Sequence, residues 1–227
     1  MHDIIQQLEA KRALLLALSH ELRSPLTRAR INADLVAEGP ERDALLRDLG
    51  EMRDLITDLL ESERLAGRHA VLHREPTDVT ELAREVVADL CSRHAGAADI
   101  ALHAAPDLPA VRLDRSRLRL LLRNLLDNSL RHSESGAFPP ELHLRLVDEG
   151  RVLELEVRDH GRGVPPEHLP HLAQAFYRPD TARQRATGGV GLGLYLCRLV
   201  AQAHDGQLNM RNAEPGLSVT VRLPVVE

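Results

Sequence analysis

Apolar residues recur at intervals of three and four along residues 2 to 38 and again from Glu41 to about Ala66, with Gly39-Pro40 between the two runs. That period predicts two helices joined by a tight turn. In the second run Leu45, Leu49, Met52, Ile56 and Leu59 repeat with 4-3-4-3 spacing, the seam of a coiled coil. In the first, Ile4, Leu8, Leu15, Leu18 and Leu22 keep the same register, interrupted by Lys11. Two antiparallel helices cannot bury two such seams on each other alone. The expected solution is a homodimer, two hairpins closing a four-helix bundle; the alternative is that the hairpin packs on the C-terminal half of its own chain.

The period changes after Gly67. Residues 68–75 read as a linker, which divides the chain into a hairpin domain (1–67) and a second domain (76–227). There 77–95, 114–133 and about 192–204 carry helical patterns. Short strands are expected at 99–104 and 109–113, alternating strands at 141–147 and 151–159, and a final pair at 207–212 and 216–224. The fold class is therefore multidomain, all-α followed by α+β, with helices covering one face of a mixed or antiparallel sheet.

Composition narrows the function. Charged residues make up 28% of the 227 residues, the net charge is −5, and aromatics are 2% with no Trp. No basic surplus or stacking platform for nucleic acid exists, so nucleic acid is excluded as a partner. Cys91 and Cys197 are too few for a disulfide framework and are expected to be buried free thiols. No apolar run approaches the ~20 residues that span a bilayer, and no signal-peptide core opens the chain. The chain reads as a soluble, cytoplasmic piece of a protein anchored elsewhere in the inner membrane.

Three features carry chemistry. In RVLELEVRD (151–159), Leu153, Leu155 and Val157 share one face, and the alternation puts Asp159 in phase with them. A carboxylate aimed at a core is costly unless hydrogen-bonded, so Asp159 is either a turn cap or an acceptor for a buried donor such as a ligand amino group. The following His160-Gly161-Arg162-Gly163 lets backbone approach closely. On the helix 114–133, Leu118, Leu121, Leu122, Leu125 and Leu126 form the buried stripe, with Asn124, Asn128 and Arg131 on its flank. Amide oxygens suit Mg²⁺ and an arginine suits phosphate, although flank asparagines bonded to backbone would look the same. Finally TGGVGLGLYL (187–196) runs glycines 188, 189, 191 and 193 into a helix, baring N–H groups at its positive end. Before it lies a long loop carrying Arg178, Arg183 and Arg185. Together these features describe a nucleotide site.

In these segments the chain resembles the catalytic core of bacterial sensor histidine kinases. SHELRSPL (19–26) resembles the H box, RNLLDNSLRHS (123–133) the N box, DHGRG (159–163) the G1 box, AFYR (175–178) the F box and GGVGLGL (188–194) the G2 box, in family order. The resemblance implies a dimerising phosphotransfer hairpin followed by an α/β-sandwich ATP-binding domain of Bergerat type. It implies ATP and Mg²⁺ as cofactors and, as partners, a second copy and a response-regulator receiver domain. Carried onto this chain, His20 is the phosphoacceptor and Glu21 holds and deprotonates it. Asn128 coordinates Mg²⁺ with Asn124 in support, and Arg131 contacts phosphate. Asp159 binds the adenine amino group, Gly161 and Gly163 hinge the lid, Arg178 belongs to that lid, and Gly189, Gly191 and Gly193 bracket the phosphates. Ser24 stands where the family more often has Thr or Asn, which leaves phosphatase activity toward the regulator less secured than kinase activity. Ser129 replaces a customary Ala.

On a helix of ~3.6 residues per turn, His20 lies about 200° from Leu18 and Leu22 and so faces away from the seam. Neutral imidazole is a nucleophile at cytoplasmic pH, and Glu21 would keep one ring nitrogen unprotonated. Pro25 deprives the Glu21 carbonyl of its helical partner, so a bend and a conformational weak point are expected one turn after the acceptor. A nucleotide-binding module without chemistry would not need the His20-Glu21 pair. A mechanochemical ATPase of the same fold would lack the H box, and a serine-directed anti-sigma kinase would lack the hairpin.

Overall fold

The computed structural model describes residues 21–66, 71–92, 100–133, 138–179 and 190–225. His20, Gly189 and the apolar positions from Ile4 to Leu18 lie outside that set, as do Arg183 and Arg185. The chain divides into two compact units, Met1–Gly67 and Arg68–Glu227.

The first unit is a helical hairpin. Helix α1 is helical over 21–34, unbroken at Pro25; two residues on, Thr27 Oγ1 donates back to the Arg23 carbonyl at 2.9 Å. The chain turns at Gly39, and α2 (Pro40–Leu65) begins with Pro40 in its first turn, where the missing N–H costs nothing. Glu41 and Asp43 lie at its positive end and Arg64 at its negative end. Arg42 reaches back across the turn to Asp34 at 3.8 Å. Ala33 and Leu60 are buried, but Leu22, Ile31, Leu35, Val36, Leu45 and Met52 remain exposed.

The second unit is an α/β sandwich. Its elements are β1 (Arg74–Thr77), α3 (Val79–Cys91), β2 (Ala101–Ala104), β3 (Val111–Asp114), α4 (Arg115–His132), β4 (Glu141–Val147), β5 (Val152–Arg158), α5 (Gly193–Ala203), β6 (Gln207–Asn212) and β7 (Leu217–Pro224). Five strands form one sheet in the order β2-β4-β5-β7-β6, and β1 pairs with β3 in a separate ribbon. The β2–β4 pairing is parallel, and the other three pairings in the large sheet are antiparallel. The inner face presents Leu142, Leu144, Leu153, Leu155, Val219, Val221 and Leu223, all buried. Against it the helices lay Leu82 and Val86 of α3, the five-leucine stripe of α4, and Leu196 and Val200 of α5. Asp78 and Asp114 cap α3 and α4, accepting from the N–H groups of Glu81 and Arg117. Helix α5 has no side-chain cap.

Two expectations are corrected. Arg74 and Glu75, read as linker, are the first residues of β1, which pairs with β3 34 to 40 positions away. The segment REPT buries only Thr77, so no alternation announced it. Cys91, expected to be buried, is exposed. It ends α3, one residue beyond buried Leu90, and a step of about 100° around the axis takes it off the buried stripe. Cys197 is buried.

Candidate functional site

Asp159 follows β5 directly. Its backbone N–H donates to the Leu217 carbonyl at 3.0 Å, extending the β5–β7 ladder by one pair. The side chain is only 4% exposed. Its Oδ1 accepts the N–H groups of Gly161 at 3.0 Å and Leu217 at 3.1 Å. Backbone dipoles therefore hold the carboxylate in one orientation and compensate its burial. Among the described residues both bonds fall on Oδ1, and Oδ2 is available to a further donor.

The segments after β5 and before β7 meet at this carboxylate with no room for side chains. A Cβ on Gly216, which has φ +96°, would sit 1.8 Å from the Asp159 carbonyl oxygen. One on Gly161 would sit 2.2 Å from the carbonyl oxygen of His132 at the end of α4. Gly161 thus seats the turn after Asp159 on the helix that carries Asn124, Asn128 and Arg131. Gly163 takes φ +69° beside Asn212. The Asn212 amide grips the turn from β6, accepting from Val164 N–H at 2.9 Å and donating to the Val164 carbonyl at 2.7 Å.

The glycine-rich segment joins from the other side. Gly191 takes φ +77°, and its carbonyl accepts the Phe176 N–H at 3.0 Å. Gly193 opens α5, and a Cβ there would lie 3.1 Å from Asn124 Oδ1. The Asn124 amide nitrogen donates to the Leu120 carbonyl at 2.9 Å, so its oxygen is turned toward the start of α5. With no side-chain cap on that helix, its first N–H groups are left to an anion. Asn128 is half-buried one turn beyond Asn124. Ser129 is buried and satisfies its own hydroxyl on the Leu126 carbonyl at 2.8 Å, so it adds no unmet polar group.

Arg131 donates from Nε to Asp127 at 2.8 Å. The charges of Arg131, Arg162 and Arg178 all bear on His132, as does the opposing charge of Asp159. The His132 ring keeps contact with solvent, yet the protein around it withdraws enough water to lower its pKa below the ordinary value. Asp159 opposes that shift and the three arginines add to it. Three guanidinium groups and one carboxylate thus lie within electrostatic reach of the same imidazole. Glu21 and Ser24 are exposed on α1, in the other unit.

A family model for histidine kinase-, DNA gyrase B- and HSP90-like ATPases matches residues 113–227. The His Kinase A phosphoacceptor model matches residues 10–68. The chain belongs to the sensor histidine kinases.

Relatives of this kinase core include the signal transduction histidine-protein kinase BaeS of Escherichia coli K12, 31% identical over 224 residues, which are 96% of this chain and 47% of BaeS. The sensor histidine kinase YkoH of Bacillus subtilis 168 is 35% identical over 220 residues, 92% of this chain and 46% of YkoH. The crystal structure of full-length ShkA in complex with AMPPNP superposes with a TM-score of 0.77 at 26% identity, covering 94% of this chain and 46% of ShkA. The chain spans about half the length of these curated relatives.

The kinase core contains two supports that sequence reasoning missed, Asn212 and Gly216. Neither lies in a recognisable motif. The signal for Gly216 was a lone glycine opening a strand, and nothing in the sequence pairs Asn212 with residue 164.

Proposed function

We propose that the chain is the catalytic core of a two-component kinase that phosphorylates its own His20 from ATP and passes the phosphoryl group to an aspartate of a response-regulator receiver domain. The observation that carries the ATP half is the buried Asp159, clamped on one oxygen by two backbone N–H groups and open on the other. That arrangement suits an adenine amino group. The uncapped start of α5 beside Asn124 suits the phosphates, and ShkA, a relative of this fold, was crystallised with AMPPNP. Arg131 and Arg178 would neutralise negative charge spreading over the transferred group. The amide oxygens of Asn124 and Asn128 fit Mg²⁺, which takes oxygen ligands and would supply charge neutralisation at the phosphates.

In the transfer, a ring nitrogen of His20 attacks the γ-phosphorus, the bond to the β,γ-bridging oxygen breaks, and ADP leaves. Glu21, next to His20, receives the imidazole proton. The open apolar residues Leu45 and Met52 support a homodimer through the hairpin, and membrane anchoring of the longer protein belongs to the same proposal. So do a hairpin domain over 1–67 and a catalytic domain whose first strand is β1 at Arg74, a regulator phosphatase activity using Ser24, and the positions of Gly189, Gly191, Gly193, Gly161 and Gly163 around the nucleotide.

Incubation with γ-labelled ATP tests the reading. The expected label is acid-labile, base-stable and absent from His20→Gln. Label that survives acid, or that persists in His20→Gln, overturns it, and failure of the wild type to take up label from ATP does so too.

A further inference from the structure

The large sheet has a second face. Residues of β4 alternate, so while Leu142 and Leu144 enter the core, Glu141 and His143 point to the opposite side. Strand β2 pairs in parallel with β4, and its His103 stands directly against His143. The two imidazoles stack with centroids 4.7 Å apart. His143 Nε2 lies 2.9 Å from Glu141 Oε2, and one ligand atom from each of His103, Glu141 and His143 falls within 4.8 Å of the other two. Asp159 belongs to the inner face, so this cluster is separate from the nucleotide residues.

We propose that His103, Glu141 and His143 form a binding site for a divalent transition-metal ion of the zinc class. The donor set is two imidazoles and a carboxylate, which zinc takes with bonds near 2.0–2.2 Å in tetrahedral geometry, keeping a fourth position for water. Such bonds place ligand atoms roughly 3.3 Å apart, so the 2.9 Å pair opens slightly, and His103 closes from within 4.8 Å by rotating its ring out of the stack. The ion replaces the contact between His143 Nε2 and Glu141 Oε2, and a neutral His143 that ligates through Nε2 keeps its one N–H on Nδ1.

Two features prepare the site. Glu141 is already placed for ligation, its Oε2 lying 2.9 Å from His143 Nε2. His160 Nε2 bonds the other carboxylate oxygen at 3.0 Å and so orients the ligand. The neighbouring acid on this face, Glu156, sits opposite His143 in the register but is engaged by Ser218 at 2.6 Å and Arg211 at 3.0 Å. Glu141 is therefore the carboxylate left to the histidines. Imidazole donors select zinc, nickel and copper over magnesium, so the ion is distinct from the one that accompanies ATP.

The test is zinc titration of the whole chain in magnesium-containing buffer against a chromophoric zinc indicator, with circular dichroism as a check on folding. The expected result is zinc uptake in the micromolar range that weakens at least about tenfold in His103→Ala, in His143→Asn and in Glu141→Gln, and is unchanged in His171→Ala. Glu141→Gln keeps a hydrogen-bonding group of the same shape, so its loss of affinity marks ligation rather than unfolding. Wild-type affinity in the His103→Ala, His143→Asn double variant overturns the proposal, as do unchanged affinity in Glu141→Gln and displacement of the zinc by excess magnesium.

Discussion

In the α/β unit Leu118, Leu121, Leu122, Leu125 and Leu126 of one helix are all buried, whereas in the hairpin Leu22, Ile31, Leu35, Leu45 and Met52 stay open to solvent. Both patterns are equally apolar in sequence. The difference lies in what each helix finds to pack on. A sheet of five strands offers α4 a broad apolar face, and α3 and α5 flank it. A hairpin offers each helix one neighbour, and a stripe wider than one contact is left over. Among the described residues of the α/β unit, large exposed apolar side chains are few, namely Val71, Phe138, Phe176 and Val190. Phe176 and Val190 flank the Gly191 junction, where a ligand rather than core packing would use them. Exposure therefore carries different meanings in the two units: an unfilled interface in one, the margin of a site in the other.

Charges placed on the seam would break this contrast most strongly. The Leu45→Glu, Met52→Glu variant should weaken self-association of the whole chain by roughly a thousandfold, since an uncompensated buried charge costs about 3–5 kcal/mol. Nucleotide affinity should be unchanged. Sedimentation and nucleotide titration on the same samples check both halves, and an unaltered sedimentation coefficient would mean the exposed stripe is not the dimer seam.

Asp159→Asn makes the converse experiment. The amide keeps an oxygen for the Gly161 and Leu217 N–H groups but loses the charged acceptor. Nucleotide binding should fall by about 100-fold, the upper range for a hydrogen bond to a charged group, with self-association intact. Calorimetric titration measures it.

A smaller effect is expected from Gly161→Ala, whose methyl group meets the His132 carbonyl. Overpacking of this kind costs about 1–3 kcal/mol, read as a lower denaturant midpoint of the α/β unit with the hairpin's helical signal retained.

The smallest effect is a pH dependence. His204 is 1% exposed, its Nδ1 bonding the Val200 carbonyl and its Nε2 accepting the Asp114 N–H. Burial pushes its pKa below the ordinary 6.5. The unfolded chain then binds a proton that the folded one refuses, so stability is complete above about pH 6.5 and declines as pH falls below it. His204→Gln should flatten that slope in urea melts taken between pH 7.5 and 5. A slope identical to wild type would remove His204 from the account.

The sequence was most legible where one residue's environment follows from its neighbours along the chain. The α4 stripe and the inward phase of Asp159 rest on local periodicity, and both are buried as that pattern indicates; of the glycine run, the described Gly193 opens α5. It was least legible where the partner is distant. The linker reading takes in Arg74 and Glu75 because the four residues of β1, with one buried side chain, carry no pattern, and only pairing with β3 makes them a strand. Residue type alone misplaces Cys91, because its angle around α3 decides its exposure.

By itself, then, the sequence determined the helices, the alternation of the strands and the chemical types offered to a ligand, because covalent order and backbone period set these within a few residues. Only the tertiary structure decided that the sheet runs β2-β4-β5-β7-β6, that Gly216 and Asn212 close on the turn after Asp159, and that His103 meets His143 and Glu141. Those contacts join segments up to 72 residues apart, as between Val152 and Pro224. Strand pairing has a period of two and many registers of similar hydrophobic fit, so close contact between distant segments is selected by the packing of the whole core.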